Sequence, residues 1–382
     1  MMLILITTVV ALMEGLTMKR KWSKEKIWEW YNSHPWIRGC NFIGSDCANR
    51  LDQWQSYGRE ERMKVADSEL ALAAKIGFNT IRLIADFDVW LQERESYMSV
   101  LEEYLTIAAK HGISVCYVLA TEVLLPRDIN APFEPKPLGE QKYALGYHQG
   151  RFPIPEEELK KKPYHYLERE GLREKFIEMI NETVTKYKND ERILFWDVYN
   201  EPGIALADGA IPILEEVFRH VRACDPSQPV TADVWRTVVR GGVKTPEEIR
   251  AIELSDFVNF HCYGNLEKTV MVIDELKKFG RPLVCTEWLN RINHNDVKDI
   301  YPIYYLERIG CYCWGFVVGK TQTNEPWEMF WKHYEDPAKT VNYDFTKWQH
   351  DLFRPGGRHP YDPSEIDLIM RINKRADEKE FV

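Results

Sequence analysis

Two glutamates near the ends of apolar runs are the residues in this sequence whose type and position best suit chemistry. Glu201 lies near the end of the run ILFWDVYNEP (193–202), and Glu287 lies near the end of PLVCTEWL (282–289). Such runs are typical of buried strands, where a carboxylate is costly unless it has a partner. A lone glutamate at a strand end is most often solvated, but two in matching positions indicate a site.

A pair of carboxylates is suited to the hydrolysis of a glycosidic bond. One group protonates the leaving oxygen, and the other attacks the anomeric carbon or activates water. At a separation of about 5 Å the second carboxylate is a nucleophile and the anomeric configuration is retained. Mutual repulsion raises the pKa of one carboxyl, which keeps it a proton donor. The sequence contains no HExxH or similar ligand pair, so we predict chemistry without a metal or cofactor.

The segments that position these glutamates alternate between apolar strands and helical stretches. Near-continuous apolar runs joined by helices are typical of a closed parallel barrel, because each strand is covered on both faces. The predicted fold is therefore α/β, a single (β/α)8 TIM barrel. The predicted strands are 38–46, 79–90, 113–120, 193–202, 229–235, 256–264, 282–289 and 311–319. The predicted helices are 67–77, 97–111, 170–188 and 363–374.

Two segments exceed the simple barrel pattern. Residues 121–169 are rich in proline and charge and form an extended loop after the third predicted strand, which we interpret as an insertion over the active face. If this insertion blocks one end of the cleft, it favours short substrates or exo action. After residue 324 comes an aromatic C-terminal extension, which is expected to pack against the barrel.

The beginning of the chain differs in composition from the rest. The apolar run MLILITTVVALM has the length of a signal h-region, but no Lys or Arg precedes it, and it is too short to span a membrane. We predict a leader of uncertain status at 1–21 and a catalytic domain at 22–382. The expectation is a cytoplasmic protein without a stable membrane span; secretion is the alternative if residues 1–17 act as a signal.

Composition narrows the class of partner. A formal net charge of −9 argues against nucleic acid, whose binding begins with a basic face. The aromatic share of 13%, with 13 Trp, indicates either a large core or a cleft lined with rings that stack on sugars. The eight cysteines lack CxxC spacing and are interpreted as buried, reduced side chains, with a disulfide or a metal as alternatives. The predicted partner is a carbohydrate substrate; the oligomeric state is left open.

Two short motifs carry a family resemblance. WDVYNEPG in the fourth predicted strand and VCTEW in the seventh resemble the clan-A glycoside hydrolases, and family 5, the cellulase-like group, is the most similar. The longer runs WIRGCNFIGSDCANRLDQWQ and ELALAAKIGFNTIRL are similar to bacterial proteins loosely labelled 1,4-beta-xylanase. The resemblance covers about residues 22–370. It implies a retaining β-glycoside hydrolase that cleaves a β-linked oligosaccharide, polysaccharide or glycoside by double displacement.

The resemblance also implies roles for individual residues. Glu201 is the expected acid/base and Glu287 the expected nucleophile, while Asn200 is expected to hold the sugar 2-hydroxyl. Arg82 resembles the arginine that orients the nucleophile and keeps it ionised; a buried structural ion pair is the alternative.

Further positions are expected to bind substrate. His261 and Tyr263 lie two residues apart and share a strand face, so Tyr263 is placed to donate to Glu287; the alternative for His261 is a satisfied core histidine. Trp314 resembles the family's sugar-stacking platform, with a core tryptophan as the alternative. Cleft-lining positions without individual roles are Asn41, Asp46 and Trp235.

Two rival functions remain open from the sequence. One is a barrel that binds carbohydrate without cleaving it, which would be expected to lack one of the two glutamates. The other is a barrel enzyme of different chemistry, such as an aldolase or a sugar-phosphate isomerase. That enzyme would require a lysine at a strand end or a glycine-rich phosphate site, and neither is evident.

Overall fold

The computed structural model describes residues 21–123, 128–148 and 156–378. Residues 1–20, which contain nearly all of the predicted leader, lie outside the described residues, as do parts of the predicted insertion at 124–127 and 149–155. Within the described ranges, no helix is both long and apolar enough to cross a membrane.

Parallel strands form one sheet that curves into a barrel. Their order is β5-β4-β3-β2-β1-β9-β8-β7-β6, and the short strands β5 and β6 are separated only by Ala232. Because these two pieces continue each other, they occupy one barrel position, and the predicted eight-position TIM barrel is confirmed. The strands are β1 (Arg38–Asn41), β2 (Thr80–Ile84), β3 (Ser114–Val118), β4 (Ile193–Asp197), β5 (Val230–Thr231), β6 (Asp233–Val234), β7 (Val258–His261), β8 (Leu283–Trp288) and β9 (Gly310–Cys313).

Helices connect successive strands and cover the outside of the barrel. Each amphipathic helix packs its apolar face on the sheet, as a parallel sheet requires. The helices are α1 (Lys24–Ser33), α2 (Arg50–Trp54), α3 (Arg59–Lys75), α4 (Phe87–Gln92), α5 (Arg94–Lys110), α6 (Glu156–Leu159), α7 (Arg173–Tyr187), α8 (Ile211–Ala223), α9 (Thr237–Arg240), α10 (Pro246–Leu254), α11 (Leu266–Lys277), α12 (Val297–Leu306), α13 (Glu328–Glu335) and α14 (Pro363–Asp377).

The second predicted strand, 79–90, is too long. Strand β2 ends at Ile84, and α4 begins at Phe87. The Asp86 side chain accepts a hydrogen bond from the Val89 N–H (3.1 Å), which is the N-cap that starts the helix. The apolar residues that follow the cap therefore lie on a helix, although their composition also suits a strand.

The bottom of the barrel is closed by the N-terminal helix α1. Ile27 and Tyr31 of α1 are buried together with Phe195 and Phe257. The Tyr31 hydroxyl accepts a hydrogen bond from the Gly310 N–H at 2.8 Å, which fixes the helix against the start of β9. Because this end is filled, the carboxyl ends of the strands form the open face.

Cysteine burial agrees with the sequence interpretation. All eight cysteines are free thiols. Seven are buried and Cys224 is partly buried, so they pack as small apolar side chains and form no disulfides.

The C-terminal extension packs against the barrel, as expected. Helix α14 lies beside α12, where the Tyr301 hydroxyl donates to the Asn373 side-chain oxygen at 2.6 Å. A buried ion pair joins the loop after β8 to the start of α14, with Arg291 Nη2 2.6 Å from Glu365 Oε2. The extension is therefore part of the same folded unit.

The barrel requires a glycine at position 39. Gly39 of β1 pairs with Thr80 of β2, and a Cβ at this position would lie 1.7 Å from the Thr80 carbonyl oxygen. We expect Gly39→Ala to lower the free energy of unfolding by about 3 kcal/mol or more, because two backbone strands must separate. Urea denaturation followed by circular dichroism measures this. Gly209→Ala is the control, since its Cβ would meet nothing nearer than Leu206 Cβ at 3.9 Å; an equal loss in both variants would contradict the explanation.

Candidate active site

The side chain at the centre of the open face is Arg82, in the middle of β2. Its guanidinium is buried and donates Nη1 hydrogen bonds to Glu287 Oε1 (2.8 Å) and Asn41 Oδ1 (2.9 Å). Its Nη2 donates to Asp197 Oδ2 (2.9 Å) and Asn200 Oδ1 (2.7 Å). One cation therefore connects the ends of β1, β2, β4 and β8. The sequence suggested either a buried ion pair or an arginine that orients a glutamate, and these contacts fit both interpretations of Arg82.

Glu287 lies at the end of β8 with a donor on each oxygen. Arg82 occupies Oε1, and the Tyr263 hydroxyl donates to Oε2 at 2.8 Å. Burial raises the pKa of Glu287, whereas the Arg82 charge and the Tyr263 hydrogen bond lower it. Each oxygen of this carboxylate therefore accepts a hydrogen bond from a protein donor.

A register shift in the sheet aims Glu287 into the barrel. Phe260 of β7 pairs with Cys285, but the next residue, His261, pairs with Glu287, so Thr286 is an extra residue on β8. A bulge of this kind changes the direction of the side chains that follow it. It places the Glu287 carboxylate beside the His261 ring, with His261 Nδ1 3.5 Å from Glu287 Oε2.

Glu201 follows β4 in a different environment. Its backbone has φ of 47°, in the left-handed region, and its N–H donates to Asp233 Oδ1 at 2.9 Å. The side chain is 18% exposed, and its Oε1 lies 3.0 Å from His261 Nδ1. Burial raises the pKa of Glu201 to about 7, against the smaller lowering by Arg82 and Arg236. In contrast to Glu287, this carboxyl accepts no hydrogen bond from any guanidinium in the part of the chain that the structure describes.

The two carboxyl groups face each other. One oxygen of Glu201, one oxygen of Glu287 and a ring nitrogen of His261 all lie within 4.8 Å of one another. Within the described ranges, these three residues form the only group of His, Cys, Asp or Glu side chains close enough together to hold a metal ion. The separation of the carboxyls is in the range at which one of them can attack a sugar directly.

His261, at the end of β7, connects the two glutamates with Asp233. Its Nε2 lies 3.3 Å from Asp233 Oδ2, opposite the Nδ1 that faces Glu201. Burial lowers the pKa of His261 to about 3, so the ring is neutral and carries a single N–H. Burial also raises the pKa of Asp233 well above its ordinary value, and the Asp197 carboxylate adds to this increase.

The turn after Glu201 is fixed by a buried carboxylate. Glu122 accepts hydrogen bonds from the N–H groups of Gly203 (2.6 Å) and Leu206 (2.9 Å), and Gly203 has φ of 81°. The apolar strand thus ends in a turn whose backbone donors are bound by Glu122 and Asp233. The Glu201 side chain therefore stays at the barrel mouth.

Three further sequence-predicted positions lie in loops around the open face, and each has a different neighbour. Trp235 is adjacent to the Glu201 turn, since its indole N–H donates to the Pro202 carbonyl at 3.3 Å. Trp314, directly after β9, contacts the His148 ring at a centroid distance of 5.6 Å. Asp46, in the loop after β1, has its side chain 4.0 Å from Arg62 of α3.

Sequence reasoning missed an aromatic group beside Glu287. The ring centroid of Tyr263 lies 5.1 Å from Trp327 and 5.5 Å from His350, both in the C-terminal extension. Tyr147 of the insertion lies 5.7 Å from His350. The only available signal was the aromatic content of the two segments, because their contacts span about 60 to 200 residues of sequence.

A TIM barrel with two facing carboxylates at its strand ends has the architecture of a glycoside hydrolase. Comparison with family models agrees, since Cellulase (glycosyl hydrolase family 5) matches residues 41–316, more than half of the chain. The chain belongs to glycosyl hydrolase family 5 and is a retaining glycoside hydrolase of clan A. No curated protein sequence matches it.

Several solved structures share the fold. An exo-beta-1,4-mannosidase, Op5Man5 from Opitutaceae bacterium strain TAV5, has a TM-score of 0.57 at 13% identity; the alignment covers 90% of this chain but only 60% of that one. GH5_18 from Streptomyces cattleya has a TM-score of 0.56 at 12% identity, covering 89% and 80%. An endo-beta-1,4-mannanase from Thermotoga petrophila has a TM-score of 0.53 at 15% identity, covering 92% and 79%.

The burial of Glu201 predicts a pH-dependent cost in stability. The pKa of Glu201 is about 7 in the folded state and 4.5 ordinarily, so the folded state binds the proton more tightly than the unfolded state does. The free energy of unfolding therefore decreases as pH rises from 4.5 through 7. We expect Glu201→Gln, relative to wild type, to gain about 3 kcal/mol in unfolding free energy between pH 5 and pH 8. Urea denaturation at both pH values measures this. The control is Glu29→Gln, on the exposed side of α1; an equal pH dependence of Glu201→Gln and wild type would contradict the prediction.

Proposed function

We propose that the protein cleaves a β-linked glycoside by double displacement, with Glu201 as the acid/base and Glu287 as the nucleophile. The observation that supports this assignment is that the two carboxyls lie within 4.8 Å of each other but have different hydrogen-bond partners. Retaining hydrolysis requires such a pair, in which one carboxyl is ionised and the other protonated.

Glu287 suits the role of nucleophile. The Arg82 guanidinium and the Tyr263 hydroxyl both donate to it, and donors of this kind favour the ionised form. When Glu287 attacks the anomeric carbon, one of its oxygens becomes an ester oxygen and the carboxylate loses its charge. Tyr263 then hydrogen-bonds an ester, and Arg82 keeps Asp197 as its ionic partner.

Glu201 suits the role of acid and then base. With a pKa of about 7, Glu201 is about half protonated at neutral pH, and the protonated form can donate its proton to the leaving oxygen. Esterification of Glu287 removes a negative charge beside Glu201, and the loss of a neighbouring like charge favours the ionised form of a carboxyl. The ionised Glu201 then accepts a proton from the water that releases the sugar.

Four further residues are proposed to bind the sugar or position the carboxylates. Asn200 is adjacent to Glu201 and is held by Arg82, so its amide is placed near the 2-hydroxyl of a sugar between the glutamates. His261 lies beside both carboxyls, and because its ring is neutral it forms no ion pair with either of them. Trp235, beside the Glu201 turn, and Trp314, directly after β9, are proposed to provide flat surfaces for neighbouring sugars.

The sugar itself is proposed from the names of similar structures. Two of the three proteins compared above are named as acting on β-1,4-linked mannose polymers or mannosides, one as an exo-mannosidase and one as an endo-mannanase. We therefore place β-mannosides first in a substrate panel, followed by β-glucosides and, from the sequence resemblance, β-xylosides. A carbohydrate-binding barrel without hydrolysis would bind such sugars and cleave none of them.

Azide rescue tests the roles of both glutamates. We expect Glu287→Ala to lose hydrolysis of an aryl β-glycoside and to recover turnover with azide, which yields a glycosyl azide of inverted configuration because azide occupies the position of the missing nucleophile. Glu201→Ala is expected to lose about 10²- to 10⁴-fold in kcat/KM on substrates with poor leaving groups and to give an azide of retained configuration. Nuclear magnetic resonance of the products distinguishes the two anomers.

Glu29→Ala is the matched control for these variants. Glu29 is an exposed glutamate of α1, at the closed end of the barrel, and its replacement is expected to leave hydrolysis and product configuration unchanged. The assignment would be wrong if Glu287→Ala kept wild-type turnover or if azide gave the retained anomer with this variant.

The pH profile tests the protonation state of Glu201. Since the acid must be protonated, we expect kcat/KM to fall above pH 7, approaching tenfold per pH unit. In Glu201→Ala, with a dinitrophenyl leaving group that needs no proton, this alkaline decrease is expected to disappear. An unchanged alkaline limb in the variant would assign the pKa to another group.

A further inference from the structure

A described part of the insertion, residues 139–148, runs over the neighbouring β1 and β9 positions at the open face of the barrel. On one side it is attached to the loop region after β1. Gly139 N–H donates to Gln55 Oε1 at 2.6 Å, and Gln55 Nε2 donates back to the Gly139 carbonyl at 2.8 Å. A further bond joins Asn49 Nδ2 to Gln141 Oε1 at 3.0 Å. The reciprocal bonds with the buried Gln55 fix the position of the segment on this side.

On its other side the same segment is attached to the loop after β9. Gly146 N–H donates to Gln322 Oε1 at 3.0 Å, and Gln322 Nε2 donates to the Ala144 carbonyl at 2.8 Å. A single glutamine side chain thus satisfies two backbone groups of the segment. The segment is fixed at both ends, across the β1 and β9 positions of the barrel.

Tyr147 follows directly and lies against the rings that contact Tyr263, the residue hydrogen-bonded to Glu287. Its ring centroid is 6.2 Å from Trp327 and 5.7 Å from His350, and its hydroxyl lies 3.4 Å from His350 Nε2. Burial raises the pKa of Tyr147 well above its ordinary value, and the Glu287 carboxylate adds to this increase. Tyr147 therefore lies close enough to the proposed nucleophile to sense its charge.

The rings around Tyr147 form a continuous wall on the Glu287 side of the site. We call this set the aromatic wall; it consists of Tyr147, Tyr263, Trp314, Trp327 and His350. Tyr263 contacts both Trp327 and His350, and His148 connects Tyr147 to Trp314 with centroid distances of 4.3 Å and 5.6 Å. Its members come from the ends of β7 and β9, from the insertion and from the C-terminal extension.

The Glu201 side of the site is built differently. Trp235 and Arg236 lie there, after β6, and the Arg236 guanidinium lies 4.7 Å from the Trp235 ring centroid. Among the described residues, residues 139–148 form no hydrogen bond, ion pair or ring contact with these two residues, and the insertion reaches this side through Glu122, which binds the turn after Glu201. Because the acid protonates the leaving oxygen, the leaving group occupies the Glu201 side, and the sugar attacked by Glu287 lies toward the aromatic wall.

We propose that the insertion makes the attacked-sugar side of the site a closed pocket for one terminal sugar, with Tyr147 as the residue that determines this specificity, so that the enzyme removes single sugars from the non-reducing end. This inference rests on the proposed function of Glu201 and Glu287. Among similar structures, both an exo- and an endo-acting protein occur, so the shared barrel does not decide between these modes. In this protein we infer the mode of action from the segments that surround the open face, in particular residues 139–148.

End-blocking of the substrate tests this pocket. The probes are an aryl β-glycoside that the wild type cleaves and the same compound with its sugar 4- and 6-hydroxyls bridged by a ketal. The ketal adds bulk where a further sugar would lie, so we expect the wild type to cleave only the unblocked probe. Tyr147→Ala is expected to raise the ratio of blocked to unblocked kcat/KM by at least about tenfold, on the scale of other pocket-size changes.

Two variants and one product analysis accompany this test. Tyr143→Ala is the matched control, because this tyrosine of the same segment is 48% exposed and lies outside the aromatic wall; its ratio is expected to equal that of the wild type. Gln322→Asn shortens the side chain that binds the backbone of Ala144 and Gly146, and asparagine tolerates the φ of 51° at this position. This variant is expected to raise the ratio of blocked to unblocked kcat/KM, as Tyr147→Ala does. With an unblocked oligosaccharide, the wild type is expected to release only monosaccharide at early times.

The outcomes separate this inference from the proposed function. If the unblocked probe is cleaved and Glu287→Ala abolishes this cleavage, the proposed function stands. If the wild type then also cleaves the blocked probe at a similar rate, or releases mixed oligosaccharides, the closed pocket is overturned. A ratio that rises in Tyr143→Ala as much as in Tyr147→Ala also overturns it. If Tyr147→Ala does not fold, the wild-type products and Gln322→Asn still decide the question.

Discussion

The buried guanidinium of Arg82 is the constraint on which the rest of the active face depends. It lies within 3.5 Å of oxygens of Asp197, Asp233 and Glu287, while Glu201 lies beyond its hydrogen bonds. One positive charge cannot balance four carboxylates in a poorly solvated site, so some of these groups must be protonated. A hydrogen bond from Arg82 favours the ionised form of the carboxyl that accepts it, as with Asp197 and Glu287. In the proposed mechanism, the different roles of the two facing glutamates follow from which of them accepts this hydrogen bond.

Asp233 connects this electrostatic arrangement to the backbone. It accepts the Glu201 N–H and lies against both Arg82 and His261, while Glu122 binds the backbone donors of the next turn. These contacts compensate for the left-handed conformation of Glu201, which costs on the order of 1 kcal/mol in a non-glycine residue. Buried carboxylates beneath the turn therefore position a carboxyl that remains partly exposed, although they take no part in the proposed proton transfers.

Much of the fold and the central part of the site could be predicted from the sequence. The strand-helix alternation indicated the barrel, and the glutamates after β4 and within β8 stood out because apolar runs surround them. The predicted end of the second strand was wrong, because the apolar residues after Asp86 form a helix. Only the Asp86 cap distinguishes this helix from a continued strand in the sequence. The cleft position predicted for Asp46 stays a prediction; its side chain lies 4.0 Å from Arg62. Tyr147, Trp327 and His350 were missed because irregular segments carry no periodic pattern and meet only through long-range contacts.

The division between strands and connections has a consequence for how such an enzyme changes. Arg82, Glu287 and His261 lie on strands, where side-chain direction is fixed by pairing and, for Glu287, by the bulge at Thr286. The aromatic wall depends on a segment attached by a few hydrogen bonds, among them those of Gln55 and Gln322. Changes to that segment alter the space around the substrate without moving the guanidinium or the carboxyls that it holds. Substrate length can therefore vary independently of the chemistry, because the two are determined by different parts of the chain.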